Sequence, residues 1–211
     1  MKVYKFGGAS VRNADGVRNL AHIVDGESDL FIIVSAMGKT TNALERVFSH
    51  MQNGRKEEAN EEIKQVQVYH AEIIDNLWGE PTNINEVTLL FGQLRNIVND
   101  IVYRQSDAEL WYDTIVAYGE LISTTIISKY LNHIGMRNRW IDMRTTLLTN
   151  QRHKDANVDI KASKHRLRAS IENTGVGVFV GQGFIGGAPD GTTTTLGREG
   201  SDYSAAVVAH I

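Results

Sequence analysis

KVYKFGGASVRNADGVRNLAHIVDGESDLFIIV, residues Lys2 to Val34, sets the architecture. Lys2 to Phe6 reads as a short strand running into Gly7-Gly8. Asn13 is placed to cap a helix that carries Val17, Leu20, Ile23 and Val24 on one side, and Gly26 suits its end. Leu30 to Val34 (LFIIV) is apolar without interruption, the pattern of a parallel strand buried on both faces. Strand, helix, strand in this order is a βαβ unit, which predicts an α/β fold.

The middle of the chain has helical periodicity. Ala59, Ile63, Val66, His70, Ile73 and Leu77 recur at spacings of four and three, and Pro81 ends the pattern. Val87, Leu90, Leu94, Ile97 and Ile101 repeat the theme, so a helical hairpin is predicted near residues 55–105. His70 reads as a packed or half-exposed helix residue, because no second ligand stands at metal-site spacing from it. A third helix is expected from Ala108 to His133, a strand over Arg139–Asp142, a helix over Lys161–Asn173 stopped by Gly175, and a strand over Val176–Val180. Gly181 to Gly200 is polar and rich in glycine and threonine, and Ser201 opens a last helix.

Composition narrows the function classes. The 42% hydrophobic and 22% charged fractions fit a packed globule. Lys plus Arg total 22 against 25 Asp plus Glu, a net charge of -3 that gives no global attraction to nucleic acid or an anionic membrane. With no cysteine, disulfides and thiolate zinc sites are excluded. No apolar run reaches membrane-spanning length, and the opening MKVYKFGG lacks the apolar core of a signal peptide, so a cytoplasmic protein is expected. No flexible linker divides the chain.

Two glycine-rich turns carry the chemistry. In Lys5-Phe6-Gly7-Gly8-Ala9-Ser10 the paired glycines let backbone N–H groups approach phosphates, the following helix adds its positive end, and Lys5 supplies a point charge. In Leu196-Gly197-Arg198-Glu199-Gly200-Ser201-Asp202, Arg198 offers a forked cation suited to a carboxylate, and Ser201 or Asp202 is placed to cap the next helix. Either turn alone also fits an ordinary capped helix start. Gly38-Lys39-Thr40 imitates a Walker A ending, but that motif needs glycine where Ile33 lies. Glu120 follows Gly119, a residue that costs ~1 kcal/mol inside a helix and so marks close packing or ligand approach.

Taken in order, these segments resemble the aspartate kinase family of the amino acid kinase superfamily. KFGGAS-V is similar to its opening KFGG[TS]SV motif, Val34–Leu44 (VSAMGKTTNAL) to its second strand and following loop, and Tyr118–Ser123 (YGELIS) to its GE-x-x-S segment. GQGFIGG with TTTTLGREGSDYSAA is similar to GFIG…TTTLGRGGSD. The resemblance implies a three-layer αβα sandwich around a mainly parallel sheet and ATP-dependent phosphorylation of the L-aspartate side-chain carboxylate to 4-phospho-L-aspartate. It implies that Lys5, Phe6, Gly7, Gly8, Ala9 and Ser10 hold the ATP phosphates and that Ser35, Thr41, Glu120, Arg198, Gly200 and Ser201 hold aspartate. Within that set, Glu120 takes the ammonium and Arg198 the α-carboxylate, while Lys5 and Asp202 are catalytic. Mg²⁺ is expected to be held mainly through the nucleotide, with no dedicated metal ligands in the chain, and the full-length protein to form a homo-oligomer.

Two departures stand out. Ala9 replaces a common Thr or Ser, and Glu199 replaces a glycine, restricting φ and adding negative charge beside an anion site. The resemblance also implies that residues 1–211 are the N-terminal part of a catalytic domain, without the nucleotide-base half or the ACT regulatory domains. The final apolar helix stops abruptly at Ile211, so a fragment that is inactive or nearly so by itself is expected. The competing readings are another kinase of the superfamily, a non-catalytic nucleotide sensor of the same fold, and a helical interaction module built on the hairpin.

Overall fold

A computed structural model describes every residue, Met1–Ile211. Strand β1 (Lys2–Phe6) leads through α1 (Ala14–Val24) to β2 (Leu30–Val34). Asn13 caps α1 by accepting the Gly16 N–H, 2.9 Å, as its position suggests. Five helices follow: α2 (Thr40–Gln52), α3 (Lys56–Trp78), α4 (Asn85–Asp100), α5 (Ala108–Val116) and α6 (Tyr118–His133), with a short 3-10 turn at Gln105–Asp107. Then come β3 (Arg139–Ile141), the single turn α7 (Met143–Thr146), α8 (Ile160–Ile171), β4 (Val178–Gln182), β5 (Ile185–Gly187), β6 (Thr193–Thr195) and α9 (Gly200–His210).

The sheet has the order β1-β2-β4-β3, and every pairing in it is parallel. All five residues of β2 are buried, because helices cover both faces. Alternation along the strand divides the core: Leu30, Ile32 and Val34 join α1 to α6 on one side. Phe31 and Ile33 meet Met143, Leu167 and Val207 of α7, α8 and α9 on the other. The result is a three-layer αβα sandwich. All four strands run the same way, so their carboxyl ends and the loops after them gather at one edge, where ligands bind in open α/β sheets.

The α3–α4 hairpin forms as expected, and Ala59, Ile63, Val66, His70, Ile73 and Leu77 are all buried. Gly79, in the left-handed conformation at φ 77°, ends α3 two residues before Pro81. On α4 the buried stripe is Val87, Phe91, Leu94 and Val98, so the face is turned from the one expected: Leu90, Ile97 and Ile101 flank it. On α1, likewise, Ile23 is exposed and Ala21 takes the buried place.

Other expectations are corrected. The segment from Ala108 to His133 is two helices, with a turn at Ala117 that aims the start of α6 at the end of β2. The loop read after Val34 ends at Lys39, and from Thr40 the chain is helix α2. The polar stretch 181–200 contains the antiparallel β5–β6 hairpin, with β5 wholly buried; its glycines and threonines hide a short strand pair from any apolar pattern. The cap of α9 is neither Ser201 nor Asp202 but Glu199, which makes no side-chain capping bond. Ser201 turns inward instead.

His70 lies fully inside the hairpin, its Nδ1 bonded to the Val66 carbonyl at 2.7 Å and its ring against Tyr69 and Phe91. Burial pushes its pKa down to about 4. The unfolded chain therefore takes up the proton first, and stability falls as pH drops from about 6.5 towards 4. His70→Leu should remove that slope, leaving the variant more stable than the parent by about 2 kcal/mol at pH 5 in urea unfolding. Parallel pH profiles for the two proteins would refute the assignment.

Candidate active site

Where β1, β2 and β4 end, a cleft of about 270 Å³ opens, lined by Lys5, Ser35, Thr41, Glu120, Phe184, Gly197, Glu199, Gly200, Ser201 and Asp202. Seven of these are residues singled out from the sequence. They come from β1, the β2–α2 connection, the first turn of α2, α6 and the N-terminal turn of α9. Phe184, Gly197 and Glu199 were not singled out as ligand contacts. Larger hollows exist elsewhere, but neither glycine turn opens into them with this set of groups.

Glu120 is the unusual member. It is 2% exposed. One oxygen, Oε1, accepts the Ala36 N–H at 2.9 Å, while Oε2 has no partner although it is buried. Loss of hydration pushes its pKa up to about 8, against the smaller opposing effect of the Ala36 bond. The close approach of α6 to β2 depends on Gly119, where a Cβ would stand 2.8 Å from that of Ala36. The next turn of α6 fixes the same junction, since Ser123 Oγ–H donates to the Ser35 carbonyl at 2.8 Å.

Lys5 reaches the cleft from the end of β1, and its Nζ is 3.0 Å from Asp202 Oδ1. Asp202 is 63% exposed in its side chain, so this is a rim pair that water screens. Ser35 Oγ–H donates to Ser201 Oγ at 3.0 Å, tying β2's end to α9. The Gly7–Ser10 turn is closed by the Ser10 N–H to Gly7 carbonyl bond, 2.9 Å. Gly8 packs so tightly on the β2–α2 connection that a Cβ would stand 2.4 Å from the Ala36 carbonyl oxygen. Phe6 is buried, Ala9 and Ser10 are exposed, and of residues 5–10 Lys5 alone lines the cleft.

Arg198 is placed differently. Its neighbours Gly197 and Glu199 line the cleft, but its own side chain is exposed and outside the lining. Glu199 takes the left-handed conformation, φ 58°, at a cost of roughly 1–2 kcal/mol for a non-glycine residue. It is an exposed acidic residue on the lining of a cleft that also includes Glu120 and Asp202.

The profile of the amino acid kinase family matches residues 1–211, and the chain belongs to that family. The lysine-sensitive aspartokinase 3 of Escherichia coli K12 is 31% identical over 98% of this chain and 45% of its own length. The aspartokinase of Chlamydia trachomatis is 28% identical over 99% and 46%. The solved structure of E. coli aspartokinase III in complex with aspartate and ADP superposes with a TM-score of 0.85 at 29% identity, covering 99% of this chain and 46% of that one. The chain thus spans about half the length of these relatives or less.

Because the folded pKa lies above the unfolded one, Glu120 favours the fold fully at low pH, and that contribution is lost as pH rises through about 8. Glu120→Gln keeps the shape and never ionises. Its melting temperature should exceed the parent's by roughly 10–20 °C at pH 9 and by only roughly 2–3 °C near pH 5. Equal melting at both pH values would mean that Glu120 is not the buried titrating group described.

Proposed function

We propose that the chain carries the aspartate and phosphate half of an aspartate kinase, which transfers the γ-phosphoryl group of ATP to the side-chain carboxylate of L-aspartate. The observation that carries this reading is the buried, unpartnered Oε2 of Glu120, on a side chain that lines the same cleft as Lys5. A buried anion without a partner asks for a cation, and an ammonium group meets that need. The likeness to enzymes named aspartokinases narrows the ammonium bearer to L-aspartate.

A carboxylate is already ionised and nucleophilic at neutral pH, so the reaction needs no strong base. The difficulty is to bring one anion against another. Lys5 and the backbone N–H groups of the Gly7–Gly8 turn offset that repulsion and stabilise charge on the moving phosphoryl group. Glu120 holds the ammonium. Arg198, turned inward from the rim, and the N-terminal turn of α9 at Gly200 and Ser201 hold the α-carboxylate. Ser35 and Thr41 add hydroxyl contacts, and the side-chain carboxylate is left facing the phosphate. Asp202 keeps the Lys5 ammonium over the cleft until phosphate displaces it. Mg²⁺ carried by the nucleotide would neutralise phosphate charge. A homo-oligomeric, cytoplasmic full-length protein belongs to the same proposal.

Calorimetry on the 211-residue chain tests it. L-aspartate should bind, whereas succinate, which lacks the amine, should not. Near pH 7 the ammonium should displace the Glu120 proton, so the binding heat should vary between phosphate and Tris buffers by the amount expected for about one proton released. Succinate binding as well as aspartate would overturn the assignment of Glu120. ATP and L-aspartate supplied together should give little or no ADP with this chain alone.

A second variant addresses the departure at position 199. Glu199→Gly relieves the left-handed strain, but glycine's extra freedom when unfolded, about 0.5–1 kcal/mol, largely cancels the gain. Stability should therefore change little, while affinity for inorganic tripolyphosphate should rise severalfold as the negative charge leaves the cleft. Unchanged affinity would show that the carboxylate points to water.

A further inference from the structure

Asp113 on α5 plays no part in the site described above, yet it is the most heavily bonded side chain in the protein's interior. It is fully buried. Its two oxygens accept the Thr195 hydroxyl at 2.6 Å, the Thr195 N–H at 3.1 Å, the Lys154 N–H at 2.9 and 3.1 Å, and the His153 ring Nδ1 at 2.9 Å. Three segments that are distant in sequence thus end on one carboxylate: α5, the 153–156 loop and β6.

The places these segments lead to matter more than their number. Seven residues after Asp113, through the Ala117 turn, comes Glu120. Directly after Thr195 comes Leu196–Asp202, which supplies Gly197, Glu199, Gly200, Ser201 and Asp202 to the cleft. The 153–156 loop closes the arrangement from below. Ala156 N–H donates to the Thr195 carbonyl at 2.9 Å, and the Lys154 carbonyl stands 3.2 Å from where a Cβ of Gly197 would be. Thr195 is therefore held at its hydroxyl, its N–H and its carbonyl, all by Asp113 or by the loop that Asp113 holds.

We propose that Asp113 is a positioning residue that sets the distance between the ammonium-binding wall of the cleft, on α6, and the wall built from residues 197–202. It acts through Thr195 and touches no ligand. The inference rests on the amino acid site proposed above. A purely structural role is already supplied at this junction by apolar neighbours, Ile115 and Val116 of α5 and Leu196 after β6, all buried. A carboxylate here adds direction, because each of its bonds fixes a backbone group rather than filling space. Burial raises its pKa, and the five hydrogen bonds oppose that rise. His153 is the titratable side chain that meets it, and Lys154 comes to it through its backbone.

Asp113→Asn replaces one acceptor oxygen with a donor, so at least one of the bonds from Lys154 and Thr195 is lost. Val178→Ala in β4, at the opposite end of the strands from the cleft, serves as a control for general destabilisation. Hydrogen exchange should rise at the amides of Gly200, Asp202 and Tyr203 in Asp113→Asn and not in Val178→Ala. L-aspartate should bind about tenfold more weakly to Asp113→Asn, while inorganic tripolyphosphate, bound at the β1 turn, should keep its affinity. Thr195→Val should give a smaller loss and Thr195→Ser should restore aspartate affinity, which keeps the test open if Asp113→Asn does not fold. Exchange confined to Thr195 and Lys154, or equal loss of both ligands, would overturn the proposal. Absence of aspartate binding in the parent chain would instead sink the proposed substrate and leave the exchange result to judge Asp113.

Discussion

The hydrogen bond from Ala36 N–H to Glu120 Oε1, 2.9 Å long and closed to solvent, joins the two parts of the molecule on which the site depends. Ala36 lies just past the end of β2, the strand at the middle of the apolar core. Glu120 lies in the first turn of α6, which packs across that core. The bond exists only because Gly119 has no side chain to hold the helix away. It also satisfies one oxygen and leaves the other without a partner, so the packing of the fold determines which part of the carboxylate faces the cleft.

A group arranged in this way works against the stability of the empty protein. Burying a carboxylate with a single hydrogen bond raises its pKa, and above that pKa the fold carries an unpaired charge. The surrounding structure resists the obvious relief. Lys5, the cation in the same cleft, is held by Asp202 at the rim, and Arg198 stays outside. Strain at Glu199 adds a second local cost at the same place. A buried, half-partnered carboxylate and a strained backbone that meet at one cavity are a combination common at binding sites.

The sequence was most legible where burial is complete or strictly periodic. LFIIV can be buried on both faces only as a strand under helices on either side, and β2 is that strand. The α3 stripe was read residue by residue because its spacing is regular and its other face is charged. Failures occurred where packing overrides local pattern. Ala117 has nothing in its identity to break a helix; the turn there serves the docking of α6 on β2. On α4, with apolar residues on more than half its circumference, periodicity could not choose between Leu90 and Phe91. The β5–β6 hairpin is made of glycine and threonine, residues that read as loop until a sheet buries them. Asp113 carried no signal at all, since its partners lie 40 and 82 positions away.

The two glycine turns were weak signals taken one at a time, and their geometry explains why both are needed. One brings Lys5 over the cleft from β1, and the other brings Asp202 from α9, the helix at the far end of the chain. Their ion pair is exposed enough for salt and water to compete with it, so it contributes little to stability. Its value is that it is easily exchanged. A buried pair would have to be broken at large cost before a phosphate could approach, whereas a screened pair lets Lys5 move from one anion to another with little loss. The Glu120 carboxylate is buried and the Lys5 ammonium is kept wet, and that asymmetry gives the cleft a dry end and an open end.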